Sequence, residues 1–377
     1  MNLRRFQAIL RMEVLHIVRD FRSLYLAFAI PLLLILLFGY ALSLDVDHVR
    51  AVVVDYDKTD FSRDFVRSFG ASPYFDLQGY YGDMREIDDA LDHGQISLAI
   101  VIPSQWSLKI RADREAPLQI LLDGSDPNFA NITRGYINAF IERYNSKLLV
   151  NFLDRHGLEP VRPPVEGRIR VWFNEDLESR QFIIPGIIAV IIMIVGAMLT
   201  SLVVARECEN GTMETIRSLP VSALEFLAGK TVPYFAIGIT DVLIAVLMGQ
   251  VLFGIVMKAS FWLMILASSL YLAVALFLGL LISTVTKSQL VANQMAILLT
   301  FLPSMLLSNF VFPAINMPKI LQFFTYLVPA TYYIDILSGI YLRGLDLVHL
   351  LPNFVVLAMI SLILMALNIT ILRKEGL

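Results

Sequence analysis

Few residues in this 377-residue chain have the type and spacing to do chemistry. Gly229-Lys230-Thr231 has the ending of a phosphate-binding loop, in which backbone N–H groups and a lysine cradle phosphates. That motif needs a glycine at position 224, where Leu224 stands, so no nucleotide site is expected. The five histidines are scattered, with no pair at zinc spacing, and there is no nucleophile elbow or dinucleotide fingerprint. Asp88-Asp89 lacks metal-ligand spacing and reads as a solvated face. Asn131-Ile132-Thr133 fits a glycosylation sequon, which matters only in a eukaryotic secretory protein. Cys208 is the one cysteine; it forms no intrachain disulfide and reads as an inert loop thiol. No catalytic residue, metal ligand or cofactor is assigned to the chain, and it is not read as an enzyme. Two features remain: a carboxylate in an apolar run, Asp241, and a charged segment between two apolar runs, Ala205 to Tyr234.

Asp241 lies about eleven residues into the uncharged stretch that starts at Thr231. A charge at the middle of a membrane costs about 2.5–3.5 kcal/mol on insertion scales, so the side chain is expected to face protein or water. One reading is a substrate or proton site. The other is a hydrogen bond between helices, to Asn293 or Gln294 for example.

The segment 205–230 has its own grammar. Asn210-Gly211 signals a turn, after which Thr212 is expected to cap a short helix. Met213, Ile216 and Leu219 fall on one face of that helix, Glu214 and Arg217 on the other. Pro220 ends it. Ser222 followed by Glu225 is a capping box that starts a second helix, running into the membrane. Glu207, beside Arg206, is expected to form an ion pair that ties the short helix to the preceding span. A small amphipathic helix lying crosswise between two spans suits docking to another protein; a surface helix among lipid headgroups is the plain alternative.

The elements that position these residues follow from composition. The chain is 57% hydrophobic and 17% charged, with a mean hydropathy of +0.67; soluble domains are nearer half apolar and a quarter charged. It reads as an α-helical integral membrane protein with an inserted mixed α/β domain. Residues 1–22 form an amphipathic interfacial helix, with Leu3, Phe6, Leu10, Val14, Ile17 and Phe21 at intervals of three and four and arginines around them. Residues 23–44 are a first span without charge, read as an uncleaved anchor rather than a signal peptide. Residues 45–180 hold 16 basic against 23 acidic side chains and form an acidic external domain. Strands are expected at Val49–Val54, Ser97–Ile102, Leu118–Leu122 and Ile169–Phe173, and helices at Phe61–Phe69, Met84–His93 and Asn128–Leu153. Arg162-Pro163-Pro164 reads as a spacer. Within residues 181–377 five further spans are expected, at Phe182–Val204, Thr231–Met257, Phe261–Thr286, Gln289–Phe310 and Leu350–Leu372. The segment 310–344 is apolar but broken by Pro313, Pro318, Pro329 and Gly339, and reads as short helices that dip into the outer leaflet and return.

Six spans put both termini on one face, with the 205–230 loop. That face holds most of the basic residues outside the acidic domain, so both termini are expected in the cytoplasm.

The order Arg206-Glu207, Gly211-Thr212-Met213-Glu214, Leu219-Pro220-Val221 and Gly229-Lys230 resembles the signature of ABC-2 type exporter permeases. Phe312-Pro313, Met317-Pro318, Pro329 and Arg343-Gly344 are similar to that family's external re-entrant element, so the resemblance covers the membrane half of the chain. It implies that the 205–230 loop is a coupling helix contacting a separate ATPase, with Arg206, Glu207, Gly211, Thr212, Met213, Glu214, Arg217 and Pro220 as the coupling residues. ATP and magnesium would then be held by the partner ATPase. The resemblance further implies a bacterial inner-membrane efflux permease for drug-like or amphipathic substrates, working as a homodimer or with a similar permease. Such permeases with a large periplasmic domain often join a periplasmic adaptor protein and an outer-membrane channel. The implied partners are proteins and membrane lipid; nucleic acid is not among them. Two other classes stay open on the residues alone. One is a proton-coupled secondary transporter using Asp241, against which no internal repeat is visible. The other is a membrane-anchored sensor or scaffold, for which one or two spans would suffice.

Overall fold

The computed structural model describes residues 2–19, 21–41, 48–112, 114–157, 172–173 and 179–376. The chain divides into two compact units, one of residues 1–43 and 170–377, the other of residues 44–169.

The smaller unit is a four-stranded sheet of β1 (Val49–Asp55), β2 (Phe75–Tyr80), β3 (Leu98–Ile102) and β4 (Gln119–Leu122), in the order β2-β1-β3-β4. β1 pairs in parallel with β2 and β3, and β4 closes the sheet antiparallel to β3. β1 and β3 are central and apolar on both faces, as strands covered on both sides must be. Val49, Ala51, Val53, Leu98, Ile100 and Ile102 point to one layer, and Val52, Val54, Ala99 and Val101 to the other. The crossovers place α3 (Asp60–Gly70) on the first face and α4 (Met84–Asp92) on the second, as right-handed connections through this strand order require. α6 (Pro127–Arg155) joins α3, packing Ile137, Phe140 and Tyr144 against it, and α5 (Trp106–Arg111) brings Trp106 into the same core. The first three expected strands and the three expected helices lie where the sequence puts them, to within a few residues; β2 and α5 are additional. Ile169–Phe173 and the Arg162-Pro163-Pro164 spacer fall largely or wholly outside the described residues, and Trp172 and Phe173 are not in a strand.

The larger unit is helical. α1 (Leu3–Arg19) is followed by α2 (Phe21–Ala41). After the inserted unit come α7 (Arg180–Ser201), its continuation α8 (Val203–Glu209), the short α9 (Thr212–Ser218) and α10 (Ala223–Phe253). α11 (Phe261–Thr286), α12 (Gln289–Leu306), α13 (Lys319–Thr325), α14 (Pro329–Ser338) and α15 (Leu347–Lys374) complete it. Among the described residues five helices are long and apolar enough to cross a membrane: α7 with α8, α10, α11, α12 and α15. In α2 (Phe21–Ala41) the apolar helix among the described residues is Phe28–Tyr40. Between α12 and α15, α13 and the helix running on from α14 to Arg343 meet at 75°, a broken element where the prolines predict one.

α7 is the axis of this unit, buried along most of its length and packed on α2, α10, α11, α12 and α14. Several polar groups among these helices are paired, as apolar surroundings demand. Tyr271 on α11 stacks on Tyr333 of α14 at 4.1 Å and donates to the Ala189 carbonyl at 3.1 Å. Thr200 donates across to the Leu276 carbonyl at 2.8 Å.

Candidate functional site

The loop between α8 and α10 is built from its ends inward. The chain breaks at Leu202, which would strand the first N–H groups of α8. Ser283 of α11 accepts from both Val204 N (3.0 Å) and Ala205 N (2.9 Å), so the break is satisfied from a neighbouring helix. Gly211 then takes φ 72°, a left-handed conformation that suits glycine, and α9 starts behind it. Thr212 is the first residue of α9 and not its cap: its hydroxyl donates to the Glu207 carbonyl at 3.2 Å and to the Glu207 carboxylate. The turn conformation of Gly211 therefore starts the helix, where a side-chain cap was expected. Leu219 is extended at the far end, ahead of Pro220, and the Ser222–Glu225 capping box opens α10 as expected.

On α9 Met213 is buried and Glu214 exposed, as the spacing predicts. Two positions differ. Leu219 is exposed, because the chain has left the helix there. Arg217 is partly covered and pairs with Glu375 near the C-terminus, at 3.2 Å. The second oxygen of Glu375 pairs with Lys287, between α11 and α12, at 2.6 Å. Glu209 accepts from Gln289 N at 2.8 Å and Gln289 Nε2 at 2.6 Å, which fastens the end of α8 to the start of α12.

Behind the loop lies a buried charge cluster. The Lys230 ammonium is fully buried, 2.6 Å from Glu13 Oε2 and 2.5 Å from Glu207 Oε1. Arg206 Nη2 is 3.1 Å from Glu13 Oε1, and the Tyr234 hydroxyl donates to the same oxygen at 2.7 Å. The expected Arg206–Glu207 pair is thus replaced by two crossed pairs: Glu207 binds Lys230, and Arg206 binds Glu13. Adjacent side chains on a helix diverge by about 100°, so each meets a different neighbour. Two carboxylates against two cations balance in charge, which makes burial tolerable.

The cluster fixes α1. Glu13 sits on the inward face, among Phe6, Ile9, Leu10 and Ile17, while Leu3, Val14, Leu15 and Val18 point outward. α1 therefore packs on α10 through a face that contains a charge, and Leu3 and Val14, expected on the apolar stripe with Leu10 and Ile17, are turned away from it. The approach is close at Gly229, where a Cβ would lie 2.7 Å from the Ile9 Cγ2 atom. Arg5 donates to the Pro220 carbonyl, and Asn2 N donates to Glu225. Glu13, His16 and Glu207 offer atoms close enough to share a metal ion. The Lys230 ammonium already bridges the two carboxylates, so the group behaves as an ionic clamp.

Sequence reasoning missed Glu13, Lys230, Tyr234 and Glu375. Glu13 had a readable signal: it is the lone carboxylate of residues 2–19 and falls on the Phe6–Leu10–Ile17 stripe. Lys230 was read only as part of a motif.

Asp241 is buried in α10, and among the described residues neither carboxylate oxygen has a hydrogen-bond partner. Asn293 and Gln294 on α12 do not supply one; Gln294 is exposed. The structure does not bring these three residues together as a bonded group. α10 packs chiefly on α1, α7 and α11 rather than on α12.

A helical protein with several helices long and apolar enough to cross a membrane, a broken apolar element and a short clamped helix between two of them is of the transporter class. The chain matches the family described as "ABC-2 family transporter protein" over residues 21–370 and belongs to it. It is the multi-pass, membrane-spanning permease subunit of an ABC exporter, which implies an ATPase partner subunit. It is 35% identical over 373 residues to the probable multidrug ABC transporter permease YbhS of Escherichia coli K12, covering 99% of this chain and 97% of that protein. It is 28% identical over 343 residues to the probable multidrug ABC transporter permease YbhR of the same organism, 91% of each chain. The inner membrane transport permease YhhJ of that organism is 26% identical over 323 residues, 82% of this chain and 81% of that one.

Proposed function

We propose that this permease exports drug-like or amphipathic compounds across a bacterial inner membrane, and that the α8–α9 loop is where a separate ATPase docks and pushes. One observation carries the reading. α9 is a short helix tied by its Thr212 hydroxyl to Glu207 of α8, whose carboxylate joins the Glu13–Lys230 cluster of α1 and α10, and it is tied to the α11–α12 turn through Arg217 and Glu375. A displacement of α9 is therefore delivered to the ends of at least four helices at once. Glu214 is left exposed on the outer face of α9 to meet a partner. ATP and magnesium belong to that partner. Both termini lie in the cytoplasm with the loop, and the inserted α/β domain lies in the periplasm. The working unit is a homodimer or a pair with a homologous permease, and the α/β domain faces a periplasmic adaptor protein and an outer-membrane channel. The names of the relatives, two of them multidrug permeases, favour such substrates.

A second role is assigned to Asp241. A buried carboxyl with no partner inside the described chain is poorly explained as a strut between helices. It suits a polar station on the substrate or proton path. Co-purification of the complex from native membranes tests the first reading: an ATPase must accompany the permease, and its recovery must depend on Glu214.

A further inference from the structure

The α/β unit carries a cleft that the transport reading does not use. It lies between α6 and the turn joining α3 to β2, with a volume of about 410 Å³, within the range of small-molecule sites. One stripe of α6 supplies Tyr136, Phe140, Arg143, Tyr144 and Lys147, at helical spacings of three and four. Across from them, Tyr74 stacks on Tyr136 at 4.3 Å with the rings 21° apart. The wall thus carries aromatic rings, the stacked Tyr74–Tyr136 pair offering its outer faces and Phe140 lying against Phe69 and Phe75 of the core. Burial, with the charge of Asp64 added, pushes the Tyr144 phenol up to about 12, so at neutral pH it keeps its proton and can donate.

The charges point the same way. Arg143 and Lys147 are one turn apart on α6, an arrangement that repels and costs a few tenths of a kcal/mol in a helix. Both are exposed, neither forms an ion pair among the described residues, and no carboxylate lines the cleft. Around them, residues 45–180 carry a net charge of −7. A cationic, aromatic-walled recess on an acidic domain is complementary to a flat anion. We propose that this cleft binds a small aromatic anion, a carboxylate or sulfonate on a ring system, with the ring against Tyr74 and Tyr136 and the acid group between Arg143 and Lys147.

The test uses the full chain in lipid nanodiscs and the photoreactive aromatic acid 4-benzoylbenzoate, with uncharged benzophenone as its neutral counterpart. Labelled residues are mapped by peptide mass spectrometry. The acid should label residues 68–74 and 136–147, and label there should fall about tenfold in Arg143→Glu/Lys147→Glu. Label within the membrane helices, an internal measure of folded protein, should stay the same. Tyr136→Ala should also reduce cleft labelling while both cations remain. Equal cleft labelling by benzophenone, or labelling indifferent to the charge reversal, would show a mere apolar crevice and overturn the proposal. So would label confined to the membrane helices. None of these outcomes bears on ATPase docking at α9.

Discussion

Glu13 illustrates how much a single buried carboxylate can organise. It meets Lys230, Arg206 and Tyr234 at 2.6, 3.1 and 2.7 Å, so the N-terminal helix is held by charge as well as by apolar packing. Removing one member of a buried ion pair leaves its partner uncompensated, at about 3–5 kcal/mol. Glu13→Ala and Lys230→Met should each lower the unfolding midpoint of the purified protein, and Glu13→Lys/Lys230→Glu should recover part of the loss that either reversal causes alone. If the two reversals simply add, the clamp is not a coupled unit. Asp241 invites the opposite prediction. With no hydrogen-bond partner among the described residues to lose, Asp241→Leu should leave the unfolding midpoint unchanged or raised, while transport per folded molecule falls at least about tenfold, or about 1.4 kcal/mol. A lowered midpoint with normal transport would return Asp241 to a structural role.

At the scale of elements, α1 and α10 approach closely only because residue 229 lacks a side chain. In a Cys208→Ser background, cysteines at Arg5 and Val221 should be joined by a short bifunctional maleimide, since the Arg5 side chain reaches the Pro220 carbonyl. Adding Gly229→Val should cut that yield severalfold by pushing α1 away; an unchanged yield would mean that α1 tolerates the extra volume. The same comparison shows what could be read from sequence. β1 and β3 were legible because β-branched runs bounded by turns leave little choice, and α10 because Ser222 and Glu225 announce its start. β2 was not: FDLQGY lacks a clean alternation and contains Gly79. α5 was not: it begins behind Gln105 at φ 63° without a side-chain cap. In the site, loop positions such as Gly211, Met213 and Pro220 follow from local rules. The crossed pairs do not, because Glu13 and Lys230 are 217 residues apart and only the packing of α1 on α10 brings them together.

For the whole molecule, the central claim is that force from an ATPase enters through α9. Its first requirement is topology. In intact cells, cysteines at Asp123 and Asp346 should react with a membrane-impermeant thiol reagent, and Cys208 should not; labelling of Cys208 from outside would reverse the orientation. The most direct test is ATPase binding to a reconstituted permease carrying Glu214→Lys. Glu214 is exposed, so the change should cost little stability, within about 0.5 kcal/mol. It should weaken ATPase binding about tenfold, because it reverses the sign of a charge at the docking face. Transport and substrate-stimulated ATP hydrolysis should fall with it, while Glu115→Lys in the α/β domain, also exposed, leaves all three unchanged. If Glu214→Lys binds the ATPase as tightly as Glu115→Lys does, the docking site lies elsewhere and the account of α9 is wrong.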